Sequence, residues 1–101
     1  MKKSASRTGD VTELEICHYF LDQGYEVFRN MSSCGPVDFV VLDIESGKVT
    51  LYDSKTVNPH TGQDGKCVIH MTGLNDVQKK LGVVLVGKHG DIIVNKKKTI
   101  L

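Results

Sequence analysis

The stretch GPVDFVVLDIESGKVTLYDSKTV, Gly35–Val57, decides how the chain is read. Its halves, VDFVVLDI (37–44) and VTLYDSKTV (49–57), are rich in β-branched and aromatic residues, the composition of strands. ESGK (45–48) between them is a turn, with Gly47 where a positive φ is needed. The expectation is an antiparallel hairpin. Its charges are in odd places. Asp38 shares a strand face with Val40, Leu42 and Ile44, and Asp53 and Lys55 share one with Val49, Leu51 and Val57. Those apolar partners suggest the covered face. All three charged residues fall at the hairpin end away from the turn.

Upstream, the pattern is helical from Asp10, with Asp10 or Thr12 as N-cap and Gly24 as the C-terminal stop. At about 100° per residue and with Glu13 at zero, Cys17 lies near 40°, Leu21 near 80°, Leu14 near 100°, Phe20 near 340° and Ile16 near 300°. Glu13 is therefore within the apolar face, whereas Glu15, near 200°, is on the wet face with Asp22. A glutamate in a core-facing stripe is costly unless it is paired or holds a metal. An ion pair of Lys55 with Asp53 or Asp38 is the plain reading, but it leaves three acids against one base. That surplus asks for a divalent cation, and oxygen ligands suit Mg²⁺ or Mn²⁺.

Further along, GYEVFRN (24–30) reads as a short strand and MSSCGP (31–36) as a loop. NPHTGQDG (58–65) has too many turn residues for regular structure. KCVIH (66–70) reads as a short strand. Thr72 opens a helix to about Leu81, with Leu74, Val77 and Leu81 at helical spacing. GVVLVG and DIIVN are strands around KHGD. Residues 1–8 and 96–101 read as flexible basic tails. The order predicts a single α/β domain over 1–101, a mixed central sheet flanked by helices.

The bulk numbers narrow the classes. A chain of 101 residues is one domain. No apolar run approaches the roughly 20 residues that span a bilayer, and the basic N-terminus lacks the apolar segment of a secretory signal. Three scattered cysteines without a CxxC read as free thiols in a reducing, cytoplasmic compartment. Net charge is only +1, so composition does not announce a nucleic-acid binder, and the terminal basic runs read first as solvated tails.

A carboxylate followed after an interval by D-x-K is the pattern of the PD-(D/E)xK nuclease superfamily, here GPVD and then DSK. RTGDVTELE (7–15) resembles the R-x-G-x-x-x-E opening of archaeal-type Holliday-junction resolvases, and its glutamate falls on Glu13. DQGYEVFRNMSSCGPVDFV (22–40) resembles the passage from helix to first aspartate in those enzymes. The likeness is good over residues 7–57 and elsewhere rests on element order. Asp53 stands where resolvases more often carry glutamate, and Ser54 where an apolar residue is usual.

The resemblance implies a restriction-endonuclease-like α-β-β-β-α-β core and a Mg-dependent endodeoxyribonuclease, first of all a junction resolvase acting as a homodimer on branched DNA. It implies that Glu13, Asp38, Asp53 and the carbonyl of Ser54 hold one or two Mg²⁺, with Lys55 serving the attacking water. Gln78, beside the stripe of the second helix, and Ser33 or Ser32, before the first aspartate, are secondary candidates. Lys2, Lys3, Arg7, Arg29, Lys96, Lys97 and Lys98 would meet DNA phosphates. His60 reads as exposed, and Cys67 with His70 as plain strand residues despite their zinc-like spacing. The strand pair GVVLVG/DIIVN or the exposed side of the first helix would supply a dimer interface. Competing readings are another small nuclease of the superfamily (restriction-type, repair or nickase), a nucleic-acid-binding module without catalysis, and a small homodimeric structural protein.

Overall fold

The computed structural model of the protein describes residues 5–32, 34–55, 58–61, 67–70, 73–89, 91–94 and 97–98. The first helix, α1 (Ala5–Asp22), starts earlier than its sequence suggests. Residues 5–8 are helical rather than a frayed tail, and Asp10 and Thr12 lie inside the helix rather than capping it. Once a helix is nucleated each further residue adds a hydrogen bond, and Gly9, at about 1 kcal/mol relative to alanine, is not enough to stop it. The C-terminal stop is as expected. Gly24 has φ +93°, its N–H bonds to Leu21 O at 3.0 Å, and Tyr25 N–H bonds to Phe20 O at 3.1 Å. This Schellman closure is sealed by the Phe20 and Tyr25 rings, whose centroids are 6.0 Å apart.

Strands β1 (Glu26–Arg29), β2 (Phe39–Leu42), β3 (Val49–Ser54), β6 (Val84–His89), β7 (Asp91–Val94) and β8 (Lys97–Lys98) form one mixed sheet in the order β1-β2-β3-β6-β7-β8. Every pairing is antiparallel except β3 with β6. The crossover between those two strands carries a separate hairpin, β4 (Asn58–Thr61) with β5 (Cys67–His70), and the short helix α2 (Asp76–Leu81). The chain is thus α/β with a mixed sheet, as expected. Two expectations fail here. Residues 58–61 pair as a strand despite their turn-rich composition; Pro59 is tolerable in a two-stranded ribbon, where each strand has an open edge. Lys97 and Lys98 extend the main sheet rather than a free tail.

Helix α1 covers one face of the sheet. Ile16, Cys17 and Phe20 pack on Phe39, Val41, Val86 and Ile92, with Tyr19, Tyr25, Val27, Tyr52 and Val94 around them. This corrects the choice of strand face. The best-covered parity is Phe39 and Val41, whereas Val40 and Leu42 are half-buried and Ile44 and Val49 exposed. Both faces of β2 are apolar, so alternation alone had no contrast to read. The α2 stripe is also displaced. Val77 and Leu81 are exposed, and the buried residue of α2 is Gln78. The cap of α2 is Asn75, which forms a capping box with Gln78; Thr72 lies outside the described residues. Among the described residues, no helix is long and apolar enough to cross a membrane.

Phe39 is the centre of this core. It is fully buried, stacks on Tyr52 at 5.3 Å and lies 6.1 Å from Phe20. Phe39→Ala should cost about 3–5 kcal/mol out of a total near 5–15 kcal/mol. At about 4–8 °C per kcal/mol for a domain of this size, the melting temperature should fall by more than 10 °C. A fall of a few degrees would mean that the core can close around the lost ring.

Candidate active site

The hairpin register sets the geometry. Phe39 pairs with Tyr52, so one step beyond, Asp38 comes level with Asp53. Asp38 continues the ladder on both sides, its N–H donating to Tyr52 O and its carbonyl accepting from Asn30 N–H, each at 2.9 Å. Lys55 is placed in the same way, by its N–H to Val86 O at 2.9 Å, one residue beyond the parallel β3/β6 ladder.

The loop before Asp38 is tied down by side chains. Asn30 Nδ2 donates to Val37 O at 2.9 Å and Cys34 O at 3.3 Å, while Asn30 Oδ1 accepts from Ser32 N–H at 2.8 Å. Gly35 is required there: its φ is +125°, and a Cβ would meet Asn30 Nδ2 at 3.3 Å. Gln78 reaches across from α2, with Nε2 donating to Pro36 O at 3.0 Å and Oε1 accepting from Asn75 N–H at 3.0 Å. Gln78 therefore holds the approach to Asp38, with one N–H and its oxygen bonded to backbone groups. Gln78→Glu should destabilise the protein by about 1–3 kcal/mol in urea unfolding. Glutamate keeps the capping-box acceptor but sets an oxygen against the Pro36 carbonyl. An unchanged midpoint would remove the Pro36 contact from this account.

At the hairpin end, Asp38 Oδ2 accepts two hydrogen bonds from Ser54, from N–H at 2.8 Å and from Oγ at 3.1 Å. Asp53 is 5 % exposed, and its Oδ2 is buried without a hydrogen-bond partner. Lys55 Nζ lies 3.1 Å from that oxygen, near enough for ion pairing but outside the angular range of a hydrogen bond. Burial pushes the Asp38 carboxyl above the usual carboxylate range, and the neighbouring Asp53 adds to this, against the stabilising Ser54 N–H. Two carboxylates with too few donors thus sit side by side.

Beside them opens a cleft of about 550 Å³, lined among others by Gly9, Glu13, Arg29, Asn30, Asp38, Ser54 and Lys55. Glu13 lies within the α1 face that buries Ile16, Cys17 and Phe20, as its helical angle predicts, and its side chain is 17 % exposed. It is paired, however. Arg29 Nη2 is 2.6 Å from Glu13 Oε2, and this bond raises the guanidinium pKa still further. Beneath it, burial and then the Glu13 charge push the Cys17 thiol up to about 11. Glu15 pairs with Lys88 of β6 at 2.6 Å.

The structure therefore brings Asp38, Asp53, Ser54 and Lys55 together and places Glu13 and Arg29 on the same cleft. It does not gather Glu13 with the two aspartates: among the described residues, no group of three His, Cys, Asp or Glu side chains is arranged to hold a metal ion. Ser32 lines the cleft, with its hydroxyl engaged by Cys34 Sγ and N–H at 3.3 Å each. Ser33, Lys2, Lys3 and Lys96 lie outside the described residues, as do the side chains of Arg7, His60, Cys67, His70, Lys97 and Lys98. Sequence reasoning missed the Ser54 hydroxyl. A serine at the middle of D-x-K, level with the first aspartate across the hairpin, is the signal that would have found it. It also counted one base where there are two, because Arg29 had been set aside for DNA.

Comparison of the chain with family models, curated proteins and solved structures gives no match.

Proposed function

We propose that the protein is a metal-dependent endodeoxyribonuclease with a PD-(D/E)xK-type site, and within that class a Holliday-junction resolvase. The observation that carries this reading is the Asp53 carboxylate, buried beside Asp38 with an oxygen that accepts no hydrogen bond and a lysine ammonium 3.1 Å away. A buried carboxylate oxygen met only by an ammonium outside hydrogen-bonding geometry is costly, and one ammonium does not balance two carboxylates in contact, which leaves a charge for a further cation to neutralise. The element order supports the same reading, since α1-β1-β2-β3-α2-β6 follows the superfamily core with the β4/β5 hairpin inserted.

The donor set fits a hard cation. Asp38, Asp53 and the Ser54 carbonyl would hold Mg²⁺ or Mn²⁺. When bound, the ion supplies Lewis-acid polarisation of the phosphate and a more acidic water. The remaining work falls to side chains. Ser54 N–H and Oγ fix one oxygen of Asp38, which sets the direction of its carboxylate. Lys55 Nζ, held at the end of β3, can orient the attacking water and donate to the phosphate oxygen on which charge develops. Arg29, half in water at the mouth of the cleft, suits the flanking phosphate. Paired nicks across a junction require two such sites, hence a symmetric dimer.

The arrangement of Glu13 favours one rival. A glutamate neutralised by arginine needs no metal, and the protein would then be a nucleic-acid-binding module without catalysis. The test is Mg²⁺- or Mn²⁺-dependent cleavage of a labelled four-way junction, a matched duplex and single-stranded DNA, with Asp53→Ala as blank. Symmetric nicks in the junction alone support the resolvase. Cutting of the linear DNAs keeps the nuclease and discards the resolvase. Failure to cut any of them, with no stabilisation by Mn²⁺, leaves the binding module.

A further inference from the structure

Glu13 and Arg29 are the two charged groups of the cleft that nuclease chemistry wants elsewhere, the carboxylate with Asp38 and Asp53 and the guanidinium on a phosphate. They hold each other instead, at 2.6 Å. We propose that this pair is a latch released by substrate: a DNA phosphate takes Arg29 from Glu13, and the freed glutamate completes the cation site. The proposal rests on the nuclease reading and gives that site an order of assembly, in which tight cation binding follows DNA.

The two partners differ in how firmly they are held. Glu13 sits two turns inside α1, on the face packed against the sheet, and its side chain is 17 % exposed. The Arg29 side chain is 50 % exposed and springs from the last residue of β1, an edge strand. Arg29 is thus the member that can leave. Its planar fork binds carboxylate and phosphate in the same bidentate manner, so exchanging one anion for the other costs little. Glu13 has no such alternative. Losing its partner would strand a charge in a largely buried position, which is strongly unfavourable, on a cleft that already holds the Asp38 carboxylate. A cation relieves this. Phosphate on Arg29 therefore increases the demand for a cation at Glu13, and a cation at Glu13 releases Arg29 for phosphate. Such coupling is reciprocal by thermodynamic necessity.

The experiment measures Mn²⁺ binding to the full chain by calorimetry, with and without a cleavage-resistant phosphorothioate duplex. Wild type should bind Mn²⁺ about tenfold more tightly with the duplex present, within the usual range of coupling between sites, and Mn²⁺ should tighten duplex binding by the same factor. Arg29→Gln should bind Mn²⁺ about tenfold more tightly than wild type without DNA, and the duplex should add less to that affinity than it adds in wild type, because only the phosphate's own contact with the ion remains. The gain must vanish when Glu13→Gln is added, because removing a nearby positive charge would otherwise favour any cation. The latch is overturned if Arg29→Gln leaves Mn²⁺ affinity unchanged, or if the gain survives Glu13→Gln. Mn²⁺ binding that depends on Asp53 but not on Arg29 removes the latch and keeps the nuclease. Equal Mn²⁺ binding by wild type and Asp53→Ala removes the metal site, and the latch with it.

Discussion

Asp53→Asn will abolish divalent-dependent cleavage and leave the metal-free protein at least as stable as wild type. The two halves of this expectation come from one feature, the buried Oδ2 that accepts no hydrogen bond. In the metal-free protein that oxygen is a cost, sharpened by Asp38 beside it, whose pKa is raised by burial and by Asp53. An amide of the same shape carries no charge and can donate to Asp38; this offsets the lost pairing with the partly exposed Lys55, so a stability change between zero and a gain of about 1 kcal/mol is expected. On the proposed function, the same oxygen is a ligand of the bound cation. Its loss should remove several kcal/mol of transition-state stabilisation, a rate loss on the order of 10³-fold. Melting curves with and without Mn²⁺ give a second readout, because a ligand of the native state stabilises by mass action. Wild type should melt higher in Mn²⁺, and the variant should not respond. A variant that still cuts at the wild-type rate, or is still stabilised by Mn²⁺, would take Asp53 out of the site.

Much of this was readable from local signals. The hairpin, its turn at Gly47 and the stop at Gly24 followed from residue types that only certain backbones accommodate, and both glycines have positive φ. Asp38 and Asp53 were brought together by register alone, since strand pairing fixes which residues come level. Glu13 was found by helical angle because the stripe around it is strongly apolar. What escaped depends on tertiary partners. The buried face of β2 was misjudged because Val40 and Leu42 are as apolar as Phe39 and Val41; the choice was made by where α1 packs. Val77 and Leu81 have the spacing of a core stripe, yet Gln78 is buried in their place because its amide finds Pro36, far away in sequence. The partner of Glu13 was missed for the same reason. Arg29 lies sixteen residues away, and no spacing rule links a helix glutamate to the end of an edge strand.

Lys55→Ala should be as inactive as Asp53→Asn yet carry the opposite stability signature. Its ammonium lies 3.1 Å from Asp53 Oδ2, with side chains 32 % and 7 % exposed. The pair falls between an exposed ion pair, worth little, and a buried one, whose disruption is severe. Removing the lysine leaves Asp38 and Asp53 together without that countercharge. A loss of about 1–2 kcal/mol is expected in metal-free unfolding, discounted for the solvent around Nζ. Mn²⁺ should restore it, so the metal-induced rise in melting temperature should be larger in Lys55→Ala than in wild type. Cleavage should fall on the order of 10²–10⁴-fold, the usual contribution of a positioned proton-transfer group, while metal-dependent DNA binding persists. The comparison with Asp53→Asn then separates the two roles. A ligand removed abolishes the response to metal, whereas a catalytic cation removed exaggerates it. If Lys55→Ala instead retains turnover, the role given to Lys55 is wrong. If it is inactive but no more responsive to Mn²⁺ than wild type, the ammonium does not stand in for a cation at Asp53, and the pairing at 3.1 Å contributes nothing to holding the two carboxylates together.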